Sequence, residues 1–116
     1  MTTIWERTNT ALLTLSLPLA ANAYVVSTGS QLPDAYLVYF LVSAPPQQHA
    51  DDVETLRSYT MQVSYYSRLG LAGMPDINGA MTAAGFTAGP LRELPFNQQT
   101  RHFALMLEFS YLEEKP

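Results

Sequence analysis

The two histidines are the residues best suited to acid–base or metal chemistry. His49 stands just before Asp51 and Asp52, and imidazole with carboxylates is a ligand set that divalent metals accept. His102 would act as a general base only if a carboxylate oriented its ring. Because the sequence has no second cluster of such ligands at a suitable spacing, we expect a solvated turn at His49 and no catalytic dyad at His102.

Other catalytic signatures are missing from the sequence. Without cysteine there is no disulfide framework, no thiolate nucleophile and no cysteine-ligated metal. There is no Gly-x-Ser-x-Gly nucleophile elbow, and no glycine is followed by the Lys-Ser or Lys-Thr of a phosphate-binding loop. We therefore predict a protein that is not an enzyme and that has no catalytic, cofactor or metal site.

The charge balance indicates which kinds of partner the chain can bind. Six Lys and Arg against ten Asp and Glu give a net charge of −4, and no basic block is present, which disfavours direct binding of nucleic acid. Charged residues make up 14% of the chain, below the roughly 25% of average soluble domains. This composition indicates a surface that is partly covered in an oligomer, although a surface rich in Ser, Thr and Gln would explain it equally well.

The length of 116 residues fits one domain, spanning residues 1–116. Thr3-Ile4-Trp5-Glu6 has the form of a capping box and predicts a first helix that Pro18 ends. A second helix is predicted over residues 75–84, with Pro75 in its first turn and Gly85 just past its end.

The first 23 residues also permit a different interpretation. An apolar run over residues 11–20 precedes Ala21-Asn22-Ala23, which mimics the cleavage pattern of a secretory signal. However, Glu6 cancels the charge of Arg7, and Pro18 interrupts the apolar run, so a folded helix is favoured. No apolar run is long enough to span a membrane.

Alternation of apolar and polar residues predicts the strands. These are a short strand at 23–26, a central strand at 35–43 covered on both faces, a half-buried strand at 54–67, an edge strand at 87–94 broken by Pro90, and a long last strand at 101–112. The order predicts an α+β fold with a mostly antiparallel sheet of four to five strands and two helices packed on one face. Coincident periodicities predict one core made of Trp5, Leu12, Val38, Val63, Met81, Leu105, Leu107 and Phe109.

The polar segment 44–52 joins the central strand to the half-buried strand that follows it. It is longer than common hairpin loops and has little apolar content with which to pack on its own domain. We interpret it as an arm that contacts a partner. The candidate contact residues are Pro45, Pro46, Gln47, Gln48, His49, Asp51 and Asp52.

Several segments together resemble the tail-terminator or tail-completion (head-to-tail joining) proteins of long-tailed bacteriophages. They are Leu32-Pro33-Asp34-Ala35-Tyr36-Leu37-Val38-Tyr39, then Ala50-Asp51-Asp52 before the strand at 59–67, then the helix from 77 ending in Gly85-Phe86, and the last strand with Glu-Phe-Ser-Tyr-Leu-Glu-Glu. The similarity covers most of the chain and consists of loose patterns rather than a catalytic signature.

The resemblance implies a structural protein of the virion tail or neck, assembled in the host cytoplasm. Such proteins form a ring, usually hexameric, on the last ring of the tail tube, stop its growth and meet the head-side connector or stopper protein. DNA passes through the lumen without sequence-specific binding. Two alternatives are a small α+β ligand-binding domain or enzyme, with a pocket between helices and sheet that uses His102 or His49, and a secreted β-rich protein.

Overall fold

The computed structural model describes residues 3–22, 32–44, 46–50 and 53–114. It contains two helices and six strands. The helices are α1 (Ile4–Leu13) and α2 (Ile77–Ala83). The strands are β1 (Leu19–Ala21), β2 (Ala35–Ser43), β3 (Pro46–Ala50), β4 (Val53–Ser67), β5 (Thr87–Asn97) and β6 (His102–Glu114).

The sheet is mixed. Its main order is β1-β2-β4-β6-β5, and β3 pairs with β4 outside this path. The β1–β2 pair is parallel, with Leu19 opposite Leu37, whereas the other pairs are antiparallel. The α+β class with two helices is therefore confirmed, and the main path of the sheet has five strands, but the prediction of a mostly antiparallel sheet is wrong because the sheet is mixed, with β1 and β2 parallel.

The missed strand follows Pro18 directly. The sequence analysis assigned no strand around Leu19, yet the segment forms a parallel ladder, in which Leu37 N–H donates to the Pro18 carbonyl at 2.9 Å and Asn22 N–H donates to the Tyr39 carbonyl at 2.8 Å. The predicted strand at 23–26 lies outside the described residues.

Helix α1 begins as predicted, since the Thr3 hydroxyl accepts a hydrogen bond from the Glu6 N–H at 3.1 Å. It ends at Leu13, well before Pro18. The Thr14 hydroxyl donates to the Ala11 carbonyl at 2.8 Å, and Ser16 has a positive φ of 59°, so the backbone leaves the helix in this turn.

Helix α2 is capped by Asp76, whose carboxylate accepts from the Gly79 N–H at 2.9 Å, so Pro75 precedes the cap instead of opening the helix. Gly85 has a φ of 98°, as the predicted left-handed end requires. Phe86 N–H then donates to the Met81 carbonyl at 3.1 Å, and its side chain is buried.

One face of the sheet, here called the first face, carries the main core. Its members in the sheet are Leu37, Tyr39, Met61, Val63, Tyr65, Leu105, Leu107 and Phe109, and the same cluster includes Ile4, Ala11 and Leu12 of α1, Ile77 and Met81 of α2, and Phe86. Leu12, Val63, Met81, Leu105, Leu107 and Phe109 are thus confirmed as core residues.

Two predicted core residues lie elsewhere. Trp5 is 43% exposed because Ile4, its neighbour in α1, points into the core, and successive helix residues differ by about 100°. Val38 is buried but belongs to the opposite, second face of the sheet, beside Tyr36. The prediction that β2 is covered on both faces holds for its first half and fails at Val42, which is 47% exposed.

Candidate interaction surfaces

The predicted contact loop is largely a strand. Residues Pro46–Ala50 form β3 and pair with the beginning of β4, with Pro46 opposite Arg57 and Ala50 opposite Val53. The ladder uses backbone groups, so this polar segment needs no apolar side chains to form a strand. We call β3 and the β4 residues that it faces, Val53 to Arg57, the arm. Of the candidate contacts, Pro46, Gln47, Gln48 and His49 lie in β3, whereas Pro45, Asp51 and Asp52 lie outside the described residues.

The arm lies at the beginning of β4. Strand β4 has 15 residues, which at about 3.4 Å per residue span about 50 Å, close to the 53 Å long axis of the molecule. Among the β4 residues whose burial is described, 57–67, the members of the core cluster are Met61, Val63 and Tyr65. The arm residues of β4 precede this stretch of the strand and are accompanied by β6 as far as the Leu56–Glu114 pair.

His102 is fully enclosed at the start of β6. Its Nε2 lies 2.8 Å from the Pro33 carbonyl oxygen. Because a carbonyl only accepts, Nε2 must carry a proton and donate it to this contact. The Nδ1 of the ring is buried and has no partner among the described residues. Among the described residues, the group that orients the imidazole is a carbonyl, whereas a general base of a dyad would be oriented by a carboxylate.

A cavity of about 590 Å³ adjoins His102 on the second face. The rings of Tyr36 and Tyr66, stacked at 4.7 Å, and the apolar side chains of Val38, Leu94 and Ala104 help to line it. Burial, and to a smaller extent Tyr66, raises the pKa of Tyr36, while Arg68 acts in the opposite sense. The Tyr36 phenol therefore stays protonated at neutral pH and does not act as a base. This cavity therefore differs in position from the pocket between helices and sheet that the ligand-binding alternative predicts.

Arg68 joins the segment before β2 to the turn between β5 and β6. Its Nε donates to the Thr100 carbonyl at 2.9 Å, and its Nη1 donates to the Leu32 carbonyl at 2.9 Å and to the Asp34 carboxylate at 3.0 Å. Sequence reasoning did not single out Arg68. The available signal was a lone Arg directly after an alternating strand, which does not identify partners so distant in sequence.

Helices α1 and α2 enclose a groove of about 500 Å³. The described residues that line it are Arg7, Thr10, Ala11, Thr14, Ala80, Ala83 and Ala84. The guanidinium carbon of Arg7 lies 4.5 Å from the centre of the Tyr111 ring, within cation–π range. The Nε of Arg7 is buried without a hydrogen-bond partner among the described residues. The sequence analysis considered Arg7 only for its charge, which Glu6 cancels, and did not predict its contact with Tyr111.

Strand β5 forms one edge of the sheet, as predicted, but continues to Asn97. Its register with β6 shifts between Ala88 and Leu91 and again between Leu94 and Asn97, the intervals that contain Pro90 and Pro95. Leu91 is 57% exposed, and Phe96 packs on Phe103 with 4.7 Å between ring centres.

The described residues provide neither a metal-binding cluster nor a membrane-spanning helix. Over residues 3–22, 32–44, 46–50 and 53–114, no group of three or more His, Cys, Asp or Glu side chains is placed to hold a metal ion. The predicted turn of His49 with Asp51 and Asp52 involves residues outside the described set. Neither of the described helices is long and apolar enough to cross a membrane.

Comparison with known proteins gives a fold likeness only. No family model matches the chain, and no curated protein matches it. A solved structure aligns over 94% of this chain and 89% of its own length, with 14% identity and a TM-score of 0.47. Similarity at that level carries no argument about function.

Proposed function

We propose that this chain is a structural protein of a long-tailed bacteriophage virion, which forms a ring, hexameric as in the proteins it resembles, at the head-proximal end of the tail tube. There it ends tube growth and joins the tail to the head-side connector. In this proposal both helices pack on the first face of the sheet, so the second face and the arm are available to neighbouring molecules. The observation that carries the proposal is the arm, in which β3 pairs with the beginning of β4, ahead of the stretch of β4 that pairs with β2.

An arm of this kind suits assembly better than catalysis. Ordering a strand pair of this polar sequence costs conformational entropy, and contact with a neighbour would offset that cost. Its partners in the proposal are other copies of the chain, the tail-tube protein, and the head-side connector or stopper protein. The protein would act in the tail or neck of the virion after assembly in the host cytoplasm.

The charge balance supports the same role. Charged residues are only 14% of the chain, which suits a molecule whose surface is partly covered by neighbours. Six copies at −4 each would carry a formal charge of −24. An acidic lumen would repel the phosphate backbone and let DNA pass without binding.

The polar side chains at the cavity also fit a structural role. Arg68 donates to two carbonyls and one carboxylate, and His102 donates to a third carbonyl, so both hold backbone segments in place. We therefore assign no enzymatic activity, cofactor or metal to the chain.

Native mass spectrometry and electron microscopy test the proposal. The purified chain, mixed with tail tubes from a mutant that lacks it, should bind as a closed ring of several copies at one end of each tube. Tails made without the chain should be abnormally long. A monomer that binds neither end of the tubes would contradict the proposal.

The alternative of a small ligand-binding domain is favoured by one observation, the cavity beside Tyr36 and His102. A compound that raises the melting temperature of the parent chain should lose this effect when Ala104, which lines the cavity, is replaced by Trp. Ring formation by the same Ala104→Trp variant would separate the two functions.

A further inference from the structure

The sequence contains one Asn-Gly pair, Asn78-Gly79, and it lies in the first turn of α2. The other asparagines, Asn9, Asn22 and Asn97, precede Thr, Ala and Gln. Asparagine is a thermolabile residue, and a following glycine favours its deamidation because glycine has no side chain to shield its backbone nitrogen. Asn78 is exposed, so water and hydroxide reach the pair.

The nucleophile in such a deamidation is the backbone nitrogen of Gly79. After this nitrogen loses its proton to hydroxide, it attacks Cγ of Asn78. The new N–Cγ bond closes a succinimide ring, the Cγ–Nδ2 bond breaks, and the leaving nitrogen takes a proton from water and departs as ammonia. Water then adds to either imide carbonyl and reopens the ring to aspartate or isoaspartate. The net reaction converts an amide and water into a carboxylic acid and ammonia, so it needs no oxidant or reductant.

In the folded chain, hydrogen bonds hold the Asn-Gly pair in helical geometry. The Gly79 N–H donates to the Asp76 carboxylate at 2.9 Å, and the Thr82 hydroxyl donates to the Asn78 carbonyl at 2.8 Å. Ring closure would place the Gly79 nitrogen eclipsed with Cβ of Asn78, which the ψ of a helical residue does not allow. The succinimide can therefore form only after the first turn of α2 opens.

We propose that Asn78 is a site of spontaneous deamidation, and that the Asp76 cap protects it by keeping the first turn of α2 closed. The rate is then the chemical rate multiplied by the fraction of time for which the Gly79 N–H is free. Helix α2 has only seven residues, and an interior glycine weakens a helix relative to alanine. Opening of this turn is therefore easier than unfolding of the whole domain.

The modification would loosen α2 from its first turn. In the isoaspartate product the backbone runs through the former side chain of Asn78, so the carbonyl that accepts from Thr82 leaves the main chain. Ile77, directly before it, and Met81 are both fully buried in the core cluster. Loss of helical geometry at residue 78 weakens the packing of both side chains, and the change is irreversible without repair. The inference does not depend on the assembly role proposed above.

Peptide mapping by mass spectrometry after incubation in mildly alkaline buffer tests the inference. The amide-to-acid mass change should accumulate at Asn78 before it appears at Asn9 or Asn97. Asp76→Ala should raise the rate at Asn78 about fivefold, which is the increase in open population that follows from loss of a typical helix cap. Hydrogen exchange of the Gly79 amide should rise by a similar factor. Asp76→Ser keeps a capping oxygen, so it should react at nearly the parent rate.

A second measurement does not require any variant to fold. The parent chain unfolded in guanidinium chloride should deamidate at Asn78 about tenfold or more faster than the folded chain. Equal rates in the folded and unfolded chain overturn the inference, as does a folded Asp76→Ala variant that reacts at the parent rate. The isoaspartate form, separated by ion exchange, should melt below the fresh chain, and an unchanged melting temperature would refute the loosening of α2.

Discussion

The Nε2 of His102 donates a hydrogen bond to the carbonyl oxygen of Pro33 across 2.8 Å, which joins the beginning of β6 to the segment that enters β2. The imidazole edge also meets the Tyr36 ring, with 5.2 Å between ring centres and planes at 81°. The buried His102 side chain therefore links the beginning of β6 to the segment before β2, which is distant from it in sequence.

Replacing His102 separates hydrogen bonding from catalysis. His102→Gln can still donate to the Pro33 carbonyl, whereas His102→Leu cannot, and a buried carbonyl without a donor costs about 1–3 kcal/mol. Urea unfolding should show the larger loss for Leu. Assembly activity should survive in the Gln variant, and its complete loss with the fold intact would favour an enzyme.

Truncation of Leu107 tests the core. This side chain is 2% exposed on the first face, so Leu107→Ala should lower the free energy of unfolding by about 2–5 kcal/mol. Leu112 lies on the same strand but is 58% exposed, and Leu112→Ala should change stability by less than about 0.5 kcal/mol. Equal losses in the two variants would refute the burial assignment.

Gly85 is constrained by its backbone and by its surroundings. Its φ is 98°, and an added Cβ would lie 3.2 Å from the Tyr111 ring. Gly85→Ala should destabilise the protein by roughly 1–2 kcal/mol. Gly73 has open space around it and no positive φ, so thermal unfolding of Gly73→Ala provides the matched comparison. We expect Gly73→Ala to unfold near the parent temperature.

The raised pKa of Tyr36 predicts a loss of stability in alkali. Burial is the main cause, and Tyr66 adds to it. Above the ordinary pKa of 10.0, the unfolded chain loses the phenol proton while the folded chain retains it. The contribution of Tyr36 to folding stability is therefore fully present below the ordinary pKa and is lost as the pH rises through the folded-state pKa. Over this pH window, the free energy of unfolding measured with denaturant should fall more steeply for the parent than for Tyr36→Phe.

Removal of β3 tests the arm. Replacing residues 45–51 by a short Gly-Ser turn should leave the domain folded, because β2 and β4 pair with each other through a ladder that does not include these residues. Ring formation and tube capping should weaken, as measured by native mass and by tail length in electron micrographs. A shortened chain that assembles and ends tails normally would show that the arm makes no essential contact.

Local sequence patterns correctly predicted several features that depend on residues close together along the chain. Helical and strand periodicity placed Leu12, Met81 and Leu107 in one core, and Gly85 correctly marked a helix end. The exposure of Trp5 was missed because an apolar stripe defines a helix face only approximately.

Longer-range features were not predictable from local patterns. The parallel pairing of Leu19 with Leu37 depends on how the chain returns after α1, and β3 forms because β4 offers it a backbone partner. The same limit applies to the sites. The contact of Arg7 with Tyr111 joins residues far apart in sequence, and neither residue type identifies the other.

The exposed edge at β5 has a consequence for solubility during accumulation in the cell. Two copies could pair their β5 strands antiparallel about a two-fold axis only in registers centred on one residue. Centring on Arg92 opposes two guanidinium groups, and centring on Glu93 opposes two carboxylates. Pro90 and Pro95 limit the regular stretch between them, since neither can donate a backbone hydrogen bond. The two charged residues and the two prolines thereby disfavour several of the registers through which such edges could stack into fibrils.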